Sequence, residues 1–358
     1  MMKVMSGQPK YYFISLVLLL AVTLGACRKW LPEDLDYLSP KAGYTQKVFN
    51  PVLGRTTVYS RVFNTDNSTT PLSFRIVNVR LKSTGEITHD LEKMVPVWVW
   101  KKAYTGDEKS VAEIDAKRTQ ENHPVWEIRE KSGDFILWNT ADSTMLRQMP
   151  DPGYLFDVVV TNSGGTNTYK DISLAPMWQL PYSPAKDINP LTGQPMTEKY
   201  VNDTNQTVLI YNHPSVSNMI GDSTELPIIN DSVRVLFRKT GNGSSVSFKF
   251  LNKDSVLMDP ALFTKTQPLD SLIHGFNAKR SATAIRYDVA YPIPVVNFPT
   301  RWTTSDGSQA NVSFAFDRKG FGGRTIRATL NFQFAIYQKG DWDVIFFFAS
   351  DTPRFRDE

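Results

Sequence analysis

Two tryptophans placed two positions apart give the sequence its clearest candidate for ligand binding. In Val95-Pro96-Val97-Trp98-Val99-Trp100, a β-strand would place the valines on one face and the indoles on the other. If the valines face a core, the indoles stand about 7 Å apart on the opposite surface. Such a pair can stack on the apolar C–H faces of pyranose rings. The alternative is that the segment 102–122, or another part of the chain, covers both indoles.

Trp302 is a second candidate for ligand binding, because it lies in the polar loop Pro299-Thr300-Arg301-Trp302-Thr303-Thr304. Three other tryptophans alternate in register with apolar neighbours and are predicted to be core residues: Trp126, Trp138 and Trp342.

The sequence offers no recognisable catalytic constellation. It contains no Gly-x-Ser-x-Gly motif, and none of its four histidines lies three or four residues from another. We therefore expect exposed or locally bonded histidines, no metal centre, no cofactor and no enzymatic activity. The glycine-rich stretch Gly320–Gly323 precedes a strand, so it predicts a hairpin loop and not a phosphate site.

Two acidic motifs leave alternatives open. Asp341 and Asp343 flank Trp342 and could project together from a hairpin, although we expect a solvated face there. The oxygen-rich stretch Asn64–Ser68 is a conceivable calcium site, but it is shorter and less acidic than an EF-hand loop.

Charge argues against nucleic acid as a partner. The 358 residues carry 40 basic and 36 acidic side chains, for a formal net charge of +4. Lys3 and Lys10 lie in the expected leader, and their removal leaves 38 basic and 36 acidic residues. A nearly neutral chain has no electrostatic reason to bind nucleic acid or an anionic membrane surface.

The first 26 residues are predicted to be a secretory leader. Lys3 and Lys10 precede an apolar run, Tyr11–Leu24, which as a helix is about 21 Å long and too short to span a bilayer of about 30 Å. Leu24-Gly25-Ala26-Cys27 resembles the lipobox of bacterial lipoproteins. That resemblance implies cleavage before Cys27, the only cysteine, and lipid attachment to its thiol.

From residue 46 onward the sequence is typical of an all-β protein. Runs rich in Val, Ile, Phe, Tyr and Thr alternate with turn residues, and only Ser110–Arg118 has helical character. Hairpins are predicted for four pairs of runs: Val125–Glu130 with Asp134–Asn139, Tyr154–Thr161 with Thr168–Leu174, Val233–Lys239 with Ser245–Leu251, and Thr325–Gln338 with Trp342–Ala349.

We expect two antiparallel β-sandwich domains joined by a proline-rich connector. Five prolines in 175–196 indicate a stiff, extended stretch without strand structure. The expected organisation is a leader at 1–26, a lipidated tether at 27–45, an immunoglobulin-like sandwich at 46–180 and a second sandwich at 197–358.

Three stretches resemble a family of Bacteroidota lipoproteins known as domain of unknown function 5007: Leu31–Pro40, Pro51–Thr56 and Phe63–Leu72. The resemblance covers the N-terminal third of the chain. It implies an accessory role beside outer-membrane nutrient-uptake systems, and it implies no catalytic residues.

The leading functional hypothesis is a non-enzymatic outer-membrane lipoprotein, exposed on the cell surface or facing the periplasm. It would bind a polysaccharide or a partner in a TonB-dependent uptake complex. The first alternative is a structural or adhesive protein that uses its sheets for protein contacts. The second is a lipid-anchored hydrolase with an unrecognised pair of carboxylates.

Replacing Cys27 with serine tests the anchor. A hydroxyl cannot form the thioether-linked lipid, so we expect Cys27→Ser to accumulate as an unlipidated or uncleaved chain. Metabolic labelling with palmitate and membrane fractionation measure this outcome. Unchanged labelling of the variant would rule out lipidation at Cys27.

Overall fold

The structure, a computed structural model, describes residues 35–200 and 203–356. These ranges are almost entirely β-structure, which confirms the predicted fold class, and their one α-helix is α1 (Val111–Asp115). This helix lies inside the segment with predicted helical character. The Ser110 hydroxyl caps it by accepting a hydrogen bond of 3.1 Å from the Glu113 amide. The predicted leader and Cys27 lie outside the described residues.

The N-terminal part of the chain forms several small sheets. Its strands are β1 (Gly43–Tyr44), β2 (Val48–Phe49), β3 (Thr57–Tyr59), β4 (Phe63–Asn64), β5 (Ser73–Leu81), β6 (Met94–Trp100), β7 (Arg118–Pro124), β8 (Trp126–Ile128), β9 (Phe135–Leu137), β10 (Tyr154–Asn162) and β11 (Gly165–Leu174). One sheet has the order β2-β11-β10-β5 and another β3-β9-β8, while β6 pairs with β7 and β1 with β4.

Buried side chains from these sheets form one N-terminal core that extends from Tyr44 to Leu174. Alternate residues of β10 (Phe156, Val158 and Val160) are fully buried. The predicted hairpins β8–β9 and β10–β11 are both confirmed by their antiparallel pairing.

Part of the expected tether belongs to this core. Ala42 and Tyr44 are buried, and β1 pairs with β4. Local pattern does not predict this, because Ala42 and Tyr44 contact residues far along the chain: the Tyr169 hydroxyl donates to the Ala42 carbonyl, and the Tyr44 hydroxyl donates to the Gly133 carbonyl.

The C-terminal part has two larger sheets. Its strands are β12 (Tyr182–Ser183), β13 (Thr197–Tyr200), β14 (Asp203–Leu209), β15 (Ser215–Ser217), β16 (Val233–Gly241), β17 (Ser245–Leu251), β18 (Leu257–Met258), β19 (Phe276–Arg280), β20 (Ile285–Asp288), β21 (Ala310–Lys319), β22 (Thr325–Ile336) and β23 (Asp341–Phe348). Short 3₁₀ helices lie at Asp90–Glu92, Asn230–Ser232, Pro260–Leu262, Leu272–His274 and Phe321–Gly323.

One C-terminal sheet has the order β16-β23-β17-β20-β19, and β22 of the other pairs with β12, β15 and β21. Their facing side chains form a C-terminal core that extends from Tyr182 to Phe348. The change from one core to the other therefore falls between Leu174 and Tyr182. The division into two independent sandwich domains stays a prediction.

Two predicted hairpins are wrong. β23 lies between β16 and β17, antiparallel to the first and parallel to the second, so β16 and β17 do not pair. β22 and β23 belong to different sheets. The physical reason is the composition of β23, whose residues Val344, Phe346 and Phe348 are all fully buried. A strand this apolar is more stable in the centre of a sheet than at an edge.

The proline-rich connector also differs from the prediction. It is largely without regular structure, but β12 within it pairs with the end of β22, and Tyr182 is buried in the C-terminal core. The sheets are antiparallel apart from the parallel pairs β2–β11 and β17–β23.

None of the helices in the described ranges has the length and apolarity needed to cross a membrane.

The central position of β23 can be tested at Phe346, whose ring stacks on Phe250 with centroids 5.5 Å apart. We expect Phe346→Ala to lower the free energy of unfolding by about 3–5 kcal/mol. The half-exposed Phe298 provides a control, since Phe298→Ala should change stability by no more than about 0.5 kcal/mol. Urea denaturation measures both values, and equal losses would contradict the buried position of Phe346.

Candidate functional site

Strand β6 presents its two faces as the sequence predicts. Val95 and Val97 are each only 1% exposed, whereas Trp98, on the opposite face, is 46% exposed. Trp100 is half-buried, and its ring lies 5.9 Å from the ring of Tyr104. The Trp98 indole is therefore exposed, as binding of a ligand to this face requires. The Trp100 indole is partly covered, as the alternative expects.

Arg118 lies against both indoles. Its guanidinium carbon is 5.0 Å from the ring centroid of Trp98 and 5.7 Å from that of Trp100, within the range of cation–π attraction. The side chain is 7% exposed and donates two hydrogen bonds to Asp115 Oδ1, at 3.0 and 2.6 Å. A third hydrogen bond, of 2.7 Å, goes to the carbonyl oxygen of Tyr291. One side chain thus joins β7, α1 and the C-terminal part of the chain.

Trp302 does not lie open in its loop, so its candidacy as a surface ligand contact is wrong. It is 5% exposed, and its ring stacks on the imidazole of His274 at a centroid distance of 4.0 Å. The guanidinium of Arg301 covers the ring at 4.1 Å. The loop folds inward because burying an indole removes a large apolar surface from water.

His274 also differs from the prediction of an exposed or locally bonded histidine. It is buried, its Nε2–H donates to the Glu108 carbonyl oxygen at 2.9 Å, and its Nδ1 accepts from the Tyr104 hydroxyl at 2.5 Å. Both partners lie far away in the sequence, in the segment between β6 and β7. Burial lowers the pKa of His274 below its usual value, and the contact with Glu108 opposes this effect.

Glu108 organises the same segment. Its carboxylate accepts hydrogen bonds from the amides of Thr105 at 3.0 Å and Gly106 at 2.9 Å, and it forms an ion pair with Lys117. Burial alone would raise the pKa of Glu108. The hydrogen bonds from Lys117 and the Thr105 amide outweigh this effect and hold the pKa at about 2.

The structure therefore brings all three candidate tryptophans into one row of contacts. We call this row the aromatic line; its members are Trp98, Trp100, Tyr104, His274 and Trp302. It begins at an exposed indole, crosses from the N-terminal to the C-terminal part of the chain, and ends at a buried indole.

A cleft of about 260 Å³ opens beside the exposed end of the aromatic line. Trp98, Asp115, Arg118, Asn139, Thr140 and Gln179 line it on the N-terminal side, and Tyr291, Tyr337 and Lys339 line it on the C-terminal side. The Thr140 hydroxyl is buried and has no hydrogen-bond partner among the described residues. An aromatic ring beside amides and an unpaired hydroxyl can hold a small polar ligand with an apolar face.

The comparisons with known proteins identify the family. The model of the family described as Domain of unknown function (DUF5007) matches residues 63–357. The chain belongs to this family. Neither a curated protein nor a solved structure matches the chain.

The match to DUF5007 extends the resemblance seen in the sequence. The stretch from Phe63 lies inside the matched range, the other two stretches precede it, and the match continues through both cores. The family has no described function, so the function of this DUF5007 protein has to be inferred from the geometry of its site.

Sequence reasoning missed Arg118, Asn139 and Gln179 in this site. These polar residues lie in strands or loops with no motif that marks them, and only tertiary packing brings them together. The one feature that identifies these three residues is their closeness to Trp98, which exists only in the folded chain.

The two acidic motifs have structural roles in the DUF5007 fold. Asp343 is buried and pairs with Lys249 at 2.7 Å, while Asp341 accepts from the Gly243 amide at 3.0 Å. Asp66, in the motif considered for calcium, accepts from the Ser39 hydroxyl at 2.6 Å. The described ranges contain no cluster of three or more His, Cys, Asp or Glu that could hold a metal ion.

The environment of His274 predicts how stability depends on pH. Because its folded-state pKa is below the usual 6.5, the unfolded chain binds the proton first, and stability should fall as the pH drops below 6.5. We expect His274→Asn to lose this part of the pH dependence of the melting temperature. The exposed His89 provides the control, since His89→Asn should keep the dependence of the parent chain. An unchanged dependence in His274→Asn would contradict the burial of a neutral imidazole.

Proposed function

We propose that this DUF5007 protein is a non-catalytic accessory lipoprotein of the outer membrane that binds a glycan in the cleft beside Trp98. The observation that carries the proposal is the half-exposed Trp98 indole, held by Arg118 at the edge of a cleft lined with amides.

The chemistry of the cleft suits a sugar. A pyranose presents an apolar face of C–H groups and a rim of hydroxyls, so it needs both an aromatic surface and hydrogen-bonding groups. Trp98 supplies the surface, while Asn139 and Gln179 can each donate and accept hydrogen bonds. The unpartnered Thr140 hydroxyl adds a group whose burial costs free energy until a ligand pairs with it.

The carboxylates support binding without catalysis. Glycoside hydrolysis generally needs two carboxylates about 5–9.5 Å apart. Asp115 is the one carboxylate among the residues that line the cleft, and Arg118 holds it through two hydrogen bonds. The residues described as lining the cleft therefore do not include the pair of carboxylates that this reaction needs.

The proposal includes a lipid anchor at Cys27, as the sequence predicts. Residues 36 and 37 contact the turn between β10 and β11: the Asn162 amide donates to the Tyr37 carbonyl at 3.0 Å. The cleft lies near the other end of the N-terminal core, because Gln179 follows the end of β11. Nine residues of β10 separate these two ends by about 27 Å, so the described chain begins far from the cleft.

The cellular setting is also part of the proposal. The lipobox at Leu24–Cys27 and the sequence resemblance to Bacteroidota lipoproteins support an outer-membrane location and a role beside a TonB-dependent uptake complex. Capture of polysaccharide at the cell surface would suit that role.

Trp98→Ala tests the binding site. We expect it to weaken retention in an affinity gel containing a neutral polysaccharide by a few kcal/mol, because the aromatic contact area is lost. Its free energy of unfolding should fall by about 0.5–2 kcal/mol, because the Arg118 guanidinium loses one of the two rings that it packs against. Trp100→Ala is the matched variant on the same strand, and it should mainly lower the melting temperature because Trp100 packs on Tyr104.

Affinity electrophoresis and thermal denaturation measure the two effects. Retention of Trp98→Ala equal to that of the parent chain would exclude this strand from the site. If the parent chain is retained by no polysaccharide in a panel of neutral glucans, mannans and xylans, the structural or adhesive role becomes the better account.

A further inference from the structure

The loop between β21 and β22 carries an unusually exposed aromatic side chain. Phe321 is fully exposed, at 105% of its reference area, in the stretch Gly320-Phe321-Gly322-Gly323. Gly322 has φ of +71°, a conformation that favours glycine, so the loop turns sharply and leaves the phenyl ring outside. Exposing a ring of this size to water is unfavourable unless another surface covers it.

A groove lies at the base of the same loop. It has a volume of about 560 Å³ and is lined mainly by apolar residues of the segments 216–220 and 227–231, with Arg318 at one side. Ile229 in this groove is 59% exposed. Arg318 joins the two features, because it lies three residues before Phe321 and donates to the Asn218 carbonyl at 2.6 Å.

Phe321 does not fill the groove of its own chain, since its ring is fully exposed. The two surfaces are nevertheless complementary in charge. Arg324, next to the loop, is an exposed cation, whereas Asp231, on the edge of the groove, is an exposed anion. An aromatic ring flanked by a cation matches the part of the groove where exposed Ile229 lies beside Asp231. Arg318, at the other side of the groove, is occupied by the Asn218 carbonyl.

We infer that the occupant of this groove is Phe321 of a second copy of the chain. When a projection and its complementary groove lie side by side on one molecule, a two-fold axis can satisfy both contacts at once, each ring entering the groove of the other copy. Arg324 of each copy then lies near Asp231 of its partner. The contact is independent of the cleft beside Trp98.

The contact area sets the expected strength. Two rings of roughly 200 Å² each, with the groove surface that they cover, bury on the order of 800 Å² in total. This is below the roughly 1,200 Å² at which specific, stable interfaces begin, so the dimer should be weak and transient and should form only at high protein concentration. Anchoring of both copies in one membrane would raise their local concentration.

Sedimentation equilibrium on the chain from residue 27 onward, carrying Cys27→Ser to exclude lipid, tests the inference. We expect concentration-dependent dimerisation of this chain. Phe321→Ala and Ile229→Asp should each weaken it by about tenfold or more. Phe298→Ala removes a half-exposed aromatic side chain elsewhere on the surface and should leave the dimerisation unchanged.

Charge reversal identifies the two-fold arrangement. Asp231→Lys and Arg324→Glu should each weaken the dimer, and the double variant should restore it, because the pair is then reversed at both contacts. Thermal denaturation of each variant confirms that it folds.

Three results would overturn the inference: a monomer at every concentration, a dimer that Phe321→Ala leaves intact, or a double charge reversal that fails to restore association. A parent chain that stays monomeric but binds vesicles of phosphatidylglycerol through Phe321 would show that a bilayer covers the ring instead.

Discussion

The buried guanidinium of Arg118 is the interaction on which the candidate site depends. A cation taken out of water must regain its lost hydration from neighbouring groups. Arg118 does so with the carboxylate of Asp115, the carbonyl oxygen of Tyr291 and the faces of two indoles. Since these partners belong to α1, to the C-terminal part and to β6, the need to solvate one charge fixes three elements relative to each other. The cleft is the space left beside that junction.

This arrangement explains why the site lies between the cores and not on a sheet. The facing sides of the sheets are filled with close-packed apolar side chains, which leave no room for a ligand. Where the two parts of the chain meet, backbone carbonyls, amides and charged groups lie at the ends of strands and in loops. Sites at such boundaries combine a rigid support with polar groups from several segments.

Local pattern predicts the parts of this fold that rest on local interactions. The alternation in β6 predicts buried valines opposite the indoles, and the glycine-containing turns predict the β8–β9 and β10–β11 hairpins. Prediction from local pattern fails where contacts with distant residues determine which strands pair. β23 inserts between β16 and β17 because a strand with five consecutive apolar residues, Val344–Phe348, is best placed at the centre of a sheet. Its composition does not specify the two strands between which it lies.

The candidate site shows the same limit. Trp302 appears exposed because its sequence neighbours are polar, yet the imidazole of His274 covers it. His274 in turn is held by Tyr104 and Glu108, which lie 170 and 166 residues before it in the sequence. The alternation in β6 predicts that Trp98 lies opposite the buried valines, but it leaves open whether another segment covers that face. The identity of its polar neighbours is not predictable in this way, because they meet only through tertiary packing.

The contact between Arg118 and Trp98 also determines which ligands the exposed indole can favour. A flexible aromatic side chain loses conformational entropy when a ligand orders it, but this indole is already held by a cation against its ring. The same cation attracts the negative charge density of the ring, so a second cation on the exposed surface would gain less and would meet repulsion from Arg118. Lys339, which also lines the cleft, would likewise repel a bound cation. A neutral or acidic ring with an apolar face meets neither penalty, and a sugar that offers such a face would bind to a surface that is ordered in advance.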